Sequence, residues 1–336
     1  MVDLSVVVPA YNAVAHLDVT LTSLRRNVAS GIEVAVVDDA STDGTAEAIE
    51  AAADDLPGLR LVRSPVNVGL ASARNLGLQH ATGRYLMFLD ADDWLAPGYL
   101  GALLGCARRH QVDFVRTDHV QVRGLRRVVH RAPVAPRDVV LRARDHVLPV
   151  RATTMVDYPY AWAGLFDRER VPDSLLRFDP GLRTAEDRPW IWRLHRRCTS
   201  FVVPSLTGHF YRREVASSLT AALDDRQLDF TRAFATVLDE LRTDGEPEAF
   251  HDKAATTVCA VVAHHLGRSA AMSPSVRREL HRRCGELLGR LPEPVLDRAL
   301  GAMDQPRREL VRAAASGNRC SSLSAVRRRR VRVAAN

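Results

Sequence analysis

Residues 85–93 read Tyr85-Leu86-Met87-Phe88-Leu89-Asp90-Ala91-Asp92-Asp93, an apolar run that ends directly in three carboxylates. A short apolar run of this kind predicts a buried β-strand. The three carboxylates at its end repel one another, and a hard divalent cation such as Mg²⁺ or Mn²⁺ would relieve that repulsion. Aspartate is also a good N-cap, so a solvated turn that caps the next helix explains the same residues. This string by itself does not decide between a metal site and a helix cap.

The segments upstream of this strand alternate between short apolar runs and stretches with helical periodicity. Strands are predicted at residues 4–8, 32–37, 59–63 and 85–89, with helices between them at residues 13–28, 45–53 and 71–80. Short connections between alternating strands and helices predict a mainly parallel sheet covered by helices. The first part of the chain is therefore expected to have an α/β fold.

Polar clusters follow three of the predicted strands: Pro9-Ala10-Tyr11-Asn12, Asp38-Asp39 and Asp90-Ala91-Asp92-Asp93. Ligands of open parallel sheets bind beyond the carboxyl ends of the strands, so these clusters are candidates for one binding site. No Gly-x-Gly-x-x-Gly motif follows any strand, which removes the main support for a dinucleotide-binding domain.

Two further strings contain candidate ligand contacts. Asp39 could accept a hydrogen bond from the N–H of a nucleotide base, while Asp43 serves the turn before the next helix. In residues 67–75, Gly69 permits a close approach of the backbone, and Arg74 could reach a phosphate or a base. Each has a plain structural alternative: a helix cap for the aspartates and a solvated surface position for the arginine.

Together these strings resemble the family 2 glycosyltransferases, which have the GT-A fold. The segments that match, in the family's order, are residues 5–12, 37–45, 67–75 and 83–93. The resemblance implies that a nucleotide, most often UDP, contacts Pro9, Tyr11, Asp39, Arg74 and Asp90. It also implies that Asp92, with its neighbours Asp90 and Asp93, coordinates a divalent cation, Mn²⁺ or Mg²⁺.

A candidate general base lies in Thr184-Ala185-Glu186-Asp187. Transfer to a hydroxyl needs a base, because the hydroxyl's pKa is far above neutrality and its proton has to leave as the new bond forms. The segment resembles the family's Glu-Asp pair, in which the second acid is the base, and implies that role for Asp187 with Glu186 in support. An aspartate ahead of Arg188-Pro189 is otherwise explained as a helix start.

Residues 210–218 resemble a family segment in which an arginine and a serine approach the donor diphosphate, here Arg212 and Ser218. Many relatives have a histidine between these two positions, but this chain has Glu214 and Val215 there. His209 is a candidate substitute as a metal ligand, and a buried structural histidine is the alternative.

The remainder of the chain has weaker patterns. Residues 112–160 contain short β-like runs among arginines, and helical periodicity resumes at about Asp225. The expected organisation is a GT-A catalytic domain at residues 1–222, an α-helical C-terminal region at residues 223–316 and a basic, disordered tail at residues 317–336. Six arginines and no acid occupy the tail, so subtracting six from the net charge of +7 leaves +1 for all other residues.

The composition limits the class of protein. The 336 residues are 46% hydrophobic and 26% charged, values typical of soluble globular proteins. Five separated cysteines without a Cys-x-x-Cys pair argue against a disulfide framework and a thiolate zinc site. No apolar run reaches the roughly 20 residues that span a bilayer, and the first residues lack the features of a signal peptide. We expect a cytoplasmic protein, which contacts the inner membrane face if the tail binds anionic lipid.

These observations predict an inverting glycosyltransferase that moves a sugar from a UDP-sugar to a hydroxyl of a glycan, a lipid-linked acceptor or a small molecule. The alternative from another class is a non-catalytic scaffold that binds anionic membranes through its tail. Nucleic acid is disfavoured as a partner because the tail lacks interleaved aromatic residues. A sugar-nucleotide pyrophosphorylase is disfavoured because Pro9-Ala10-Tyr11-Asn12 is not a glycine-rich loop. Asp92 and Asp187 argue against an enzyme that has lost turnover.

Overall fold

The computed structural model describes residues 2–213 and 223–317, which form two compact units. The first unit contains residues 2–147 and 153–213, and the second contains residues 148–152 and 223–317. Ser218 and the arginines of the basic tail lie outside the described residues.

The first unit is built on two sheets and their covering helices. Its strands are β1 (Leu4–Ala10), β2 (Ile32–Asp38), β3 (Leu59–Arg63), β4 (Tyr85–Phe88), β5 (Trp94–Leu95), β6 (Phe114–Arg116), β7 (Asp118–Arg123), β8 (Arg126–His130), β9 (Leu141–Arg142), β10 (Gly164–Asp167), β11 (Ser200–Val202) and β12 (Thr207–Arg212). Its helices are α1 (Val14–Arg25), α2 (Thr45–Ala52), α3 (Leu70–His80), α4 (Tyr99–His110), α5 (Asp173–Leu176) and α6 (Asp187–Arg197).

The larger sheet confirms the predicted α/β fold class. Its eight strands have the order β3-β2-β1-β4-β10-β6-β11-β9, and the first four of these run parallel to one another. Strand β10 runs antiparallel to both β4 and β6. Every residue of β1 and β2 is buried, as expected for parallel strands with helices on both faces.

Side chains of β1 alternate between two helix-covered faces. Val6 and Val8 belong to one core cluster together with Leu17 and Leu24 of α1. Val7 lies on the opposite face, against α3. The alternation follows from the two-residue period of a strand. Both helices therefore pack against the strand that ends at Ala10, directly before Tyr11 and Asn12.

The smaller sheet has the order β5-β12-β7-β8 and comes partly from residues 112–160, whose arrangement the sequence pattern did not indicate. Strand β12 pairs antiparallel with β5 and parallel with β7, and β7 forms a hairpin with β8. Because β5 directly follows the acidic segment at residues 90–93, its pairing with β12 brings His209 and Arg212 to that segment.

The second unit consists of helices, as the periodicity of the C-terminal region predicted. They are α7 (Asp229–Thr243), α8 (Glu248–Arg268), α9 (Pro274–Leu288), α10 (Glu293–Gly301) and α11 (Gln305–Ala315). In α7, Phe230, Phe234, Val237 and Leu241 form a buried stripe at helical spacing. Among the described residues, no helix has the length and apolar character that crossing a membrane requires.

Candidate functional site

The carboxyl ends of β2, β1 and β4 lie side by side, because these parallel strands are neighbours in the sheet. The three polar clusters of the sequence therefore meet at a single edge. Pro9 is buried within β1, whereas Tyr11 is 54% exposed at the edge. Asn12 joins the loops after β1 and β2, since its backbone N–H donates to Ser41 Oγ and its Oδ1 accepts a hydrogen bond from Thr42 N.

The Asp39 carboxylate is buried and braces the loop before α3. Its Oδ1 accepts a hydrogen bond from the N–H of Val68 at 2.7 Å, and its Oδ2 accepts one from Gly69 at 2.8 Å. Gly69 has φ +83°, in the left-handed region that favours glycine. Asp39 thus sets the shape of the loop that begins α3, and each of its oxygens retains a further lone pair for a base N–H.

Arg74 of α3 is the centre of a buried ion network. Its NH1 donates to Glu186 Oε1 at 2.7 Å, and its NH2 donates to Asp90 Oδ1 at 2.8 Å. The arginine side chain is only 3% exposed. Burial disfavours the charged guanidinium, but Asp90 and Glu186 outweigh this effect and raise the pKa of Arg74 above its ordinary value. The network joins three candidate residues from α3, the end of β4 and the start of α6.

Glu186 and Asp187 lie at the start of α6, directly after a strained residue. Ala185 has φ +59°, a conformation that costs a non-glycine residue about 1–2 kcal/mol. Burial raises the pKa of Glu186, although the charge of Arg74 opposes the change. Burial, and then repulsion from Glu186, raise the pKa of Asp187. A carboxylate with a raised pKa is a stronger base, which suits proton abstraction.

Asp93 is fully buried, and contacts with β12 occupy both of its oxygens. Nε2 of His209 lies 3.0 Å from Oδ2, and the backbone N–H of Arg212 donates to Oδ1 at 2.8 Å. Burial lowers the pKa of His209 to about 3, so the ring is neutral. Asp93, a candidate metal ligand by sequence, ties the acidic segment to β12. His209 is fully buried beside Asp93, an environment that favours the structural alternative for this histidine.

Asp92 is largely removed from water and lies near two other carboxylates. Burial, followed by the charges of Asp93 and Asp90, raises the pKa of Asp92 to about 7. A divalent cation beside Asp92 would relieve this repulsion. Asp90 Oδ1 contacts Arg74 and each oxygen of Asp93 contacts β12, so the carboxylate of Asp92 and Oδ2 of Asp90 are the less engaged cation donors of this segment.

This small donor set suits Mg²⁺ or Mn²⁺, which do not need a closed cage of protein ligands. In the described part of the chain, no group of three or more His, Cys, Asp or Glu side chains has a metal-binding arrangement. Mg²⁺ usually binds one or two protein carboxylates and takes its other ligands from water and substrate phosphates. Asp92 and Asp90 could supply that smaller set.

Arg212 lies along the acidic segment. Its Nε donates to the backbone oxygen of Asp92 at 2.9 Å, and its guanidinium carbon is 4.8 Å from the centroid of the Trp94 ring. Trp94 stacks in turn on Phe210, with ring centroids 5.4 Å apart and an interplanar angle of 3°. No pattern in the sequence points to Trp94, because the stack depends on the pairing of β5 with β12.

Comparisons with known proteins add to this geometry. The model of Glycosyl transferase family 2 matches residues 5–156. The uncharacterized glycosyltransferase EpsJ of Bacillus subtilis is 29% identical over 218 residues, which cover 64% of this chain and 62% of EpsJ. The succinoglycan biosynthesis protein ExoO of Rhizobium meliloti is 30% identical over 193 residues, which cover 55% of this chain and 53% of ExoO. The match with each relative therefore covers less than two thirds of that relative's length.

Solved structures are similar over nearly the whole chain. S. aureus TarS in complex with UDP-GlcNAc has a TM-score of 0.73 at 20% identity, covering 94% of this chain and 92% of that one. The mannosyltransferase PcManGT from Pyrobaculum calidifontis, in complex with GDP-Man and Mn²⁺, has a TM-score of 0.52 at 22% identity, covering 94% of this chain and 86% of that one. At these identities the likeness establishes a shared fold.

Proposed function

Because the model of glycosyl transferase family 2 matches residues 5–156 and solved structures share the fold, we propose that this chain is a family 2 glycosyltransferase with the GT-A fold, which transfers a sugar from a nucleotide diphosphate donor to an acceptor hydroxyl. The observation that carries this proposal is the ion network of Arg74, Asp90 and Glu186. It joins the acidic segment after β4 to the start of α6, at the sheet edge where ligands of such folds bind.

The donor is proposed to be a UDP-sugar. TarS has been solved with UDP and with UDP-GlcNAc, and PcManGT with GDP-Man, which supports a nucleotide-sugar donor in general. The exposed ring of Tyr11 suits stacking on a base, and a free lone pair on Asp39 suits a base N–H. The proposed nucleotide contacts are Pro9, Tyr11, Asp39, Arg74, Asp90, Arg212 and Ser218.

We propose that Asp92 and Asp90 bind the cation. Asp93 is proposed to have a structural role, in which its contacts hold the acidic segment against β12. Mn²⁺ or Mg²⁺, when bound, would neutralise negative charge on the donor phosphates. The complex of PcManGT with Mn²⁺ supports a divalent cation in general. Arg212, stacked on Trp94 beside Asp92, adds a fixed positive charge where the departing diphosphate gains negative charge.

Asp187 is proposed to take the proton of the acceptor hydroxyl as that oxygen attacks the anomeric carbon. Its raised pKa, caused by burial and by Glu186, makes the ionised group a stronger base than an exposed aspartate. Glu186 is held by Arg74 and supports the position of its neighbour. A base on the face of the sugar opposite the leaving diphosphate produces inversion at the anomeric carbon.

The first test is the thermal stability of the full chain with nucleotides. UDP, GDP and other nucleoside diphosphates are titrated with and without Mn²⁺ in the wild type, in Asp92→Asn and in the control Asp54→Asn, whose side chain is exposed. A ligand that binds only the native state adds about 2.7 kcal/mol at 100 times its Kd. We expect a Mn²⁺-dependent shift with one nucleotide that survives in Asp54→Asn and disappears in Asp92→Asn. No shift in the wild type with any nucleotide would contradict a functional donor site.

A further inference from the structure

The hairpin of β7 and β8 carries exposed apolar side chains at its free end, here called the hairpin tip (residues 123–131). Leu125 is fully exposed, and Val128 and Val129 are 40% and 51% exposed. Strand β8 is the edge of the smaller sheet, and all five of its residues are exposed. These three side chains expose apolar area within five residues, with Val128 and Val129 on opposite faces of β8.

The hairpin tip is also strongly basic. It contains Arg123, Arg126, Arg127 and Arg131, and no acidic residue occurs between Asp118 and Asp138. Those two flanking acids are engaged elsewhere, since Asp118 accepts hydrogen bonds from Arg137 and from the N–H of Ala132, and Asp138 accepts one from the N–H of Ser205. Arg127 lies over the Phe210 ring, and the exposed Arg123, Arg126 and Arg131 present positive charge to an anionic partner.

The turn needs glycine at one position only, and Leu125 is not at that position. The two-residue loop Gly124-Leu125 joins the strands with Gly124 at φ +53°, where such a loop requires glycine, so the turn does not fix the identity of residue 125. The Leu125 side chain remains fully exposed in the folded chain, so it contributes no hydrophobic burial to stability. Arginines on an edge strand discourage pairing with another sheet, but that protection does not need a leucine at the most exposed position.

We propose that the hairpin tip docks on an anionic lipid surface. The arginines would contact lipid phosphates, and Leu125 would enter the boundary between headgroups and acyl chains. A purely polar polyanion would use the arginines but not the leucine, which is why the observations favour a membrane. Arg127 packs over Phe210, the ring that stacks on Trp94, but the proposed lipid contact does not depend on sugar transfer.

The test is co-sedimentation of the full chain with vesicles of phosphatidylcholine, alone or mixed with phosphatidylglycerol. Attraction of a basic residue to an anionic surface corresponds to about fivefold in partitioning, so Arg123→Ser/Arg126→Ser should weaken binding to the anionic vesicles about 30-fold. Leu125→Ser should weaken it about tenfold, because its apolar contact is lost. The control Arg26→Ser/Arg142→Ser removes the same charge from exposed positions elsewhere in the first unit and should bind like the wild type.

The tail variant Arg327→Ser/Arg328→Ser/Arg329→Ser/Arg330→Ser separates the contributions of the two basic segments. The proposal is overturned if only this tail variant loses vesicle binding, or if the wild type binds neither vesicle. It is also overturned if Leu125→Ser binds like the wild type, because the contact would then be that of a general polyanion site. The last criterion is the oligomeric state, measured by sedimentation without lipid. If the wild type binds no vesicles but forms a dimer, and Leu125→Ser abolishes that dimer, the partner of the hairpin tip is a second copy of the chain.

Discussion

At the scale of single residues, the site depends on buried charges that compensate one another. Arg74 is one positive charge in contact with the carboxylates of Asp90 and Glu186, and Asp187 adds a third negative charge nearby. Burial, together with the excess of negative charge, keeps the pKa values of Glu186 and Asp187 raised. Removing any one of these groups changes the protonation of the others, so each substitution has a specific expected effect.

Replacing Arg74 with methionine should destabilise the fold strongly. Asp90 and Glu186 would lose their shared partner, and breaking a buried ion pair typically costs about 3–5 kcal/mol. The matched control is Arg63→Met, which breaks the exposed pair with Glu50 and should cost no more than about 1 kcal/mol. Urea unfolding measures both values, and equal costs for the two variants would argue that the Arg74 network is not buried in solution.

Replacing Asp187 with asparagine should lower kcat by about 10²–10⁴-fold, because the proton acceptor is lost while the shape of the side chain is kept. Donor affinity should stay within a factor of two or so, since the base contacts the acceptor rather than the nucleotide. Product formation and nucleotide titration measure the two quantities. The exposed Glu169→Gln is the control. Full turnover in Asp187→Asn would exclude Asp187 as the base.

The pH dependence of kcat/KM should reflect the raised pKa of Asp187. A base works in its ionised form, so a raised pKa means that activity is lost at a higher pH on acidification than an ordinary aspartate would allow. Glu186→Gln removes the repulsion and should move this acid limb to lower pH. An acid limb at the ordinary aspartate range in the wild type, or one that Glu186→Gln leaves in place, would count against the assignment.

At the scale of elements, α3 reaches the site because it packs unusually close to β1. A Cβ added at Gly77 would lie 2.2 Å from Cγ1 of Val7 and 3.2 Å from Cγ2 of Val37, so this helix position has room only for glycine. Gly77 is three residues after Arg74, and the contact therefore sets how deeply the arginine lies between Asp90 and Glu186.

Gly77→Ala should destabilise the chain by about 1–3 kcal/mol, as overpacking of a core usually does. Gly101→Ala in α4 is the matched control, because no atom lies within 4 Å of its added Cβ. That control should instead stabilise by up to about 1 kcal/mol through higher helix propensity. Thermal or urea unfolding gives the two signs directly, and a stabilising Gly77→Ala would show that α3 can move away from β1 at little cost.

At the scale of the whole molecule, the described candidate residues all belong to the first unit. The polar clusters lie at one edge of the sheet because they follow neighbouring parallel strands. Strand β12, which comes much later in the chain, contacts the acidic segment and holds it in place. The second unit is a set of helices and contributes none of these candidate residues. The chemistry proposed here is therefore a property of the first unit's sheet edge.

The stereochemistry of the product tests whether the proposed base and donor site at this sheet edge act together in one reaction. A base and a leaving diphosphate on opposite faces of the sugar produce inversion in one displacement. We expect proton NMR of the first product formed to show the anomeric configuration opposite to that of the donor. Product of retained configuration would rule out the single displacement and, with it, the role of Asp187.

The sequence by itself determined the order of strands and helices over residues 4–95 and the strand-end positions of Tyr11, Asp39 and Asp92, because periodicity and strand-end polarity are local patterns. It also indicated Arg74 and Asp187 through motifs. Only the tertiary structure decided what these residues contact. The bonds of Arg74 with Glu186 and of Asp93 with His209 join residues more than a hundred positions apart. No local pattern encodes such pairs, since they exist only once β12 and α6 have packed beside the parallel strands.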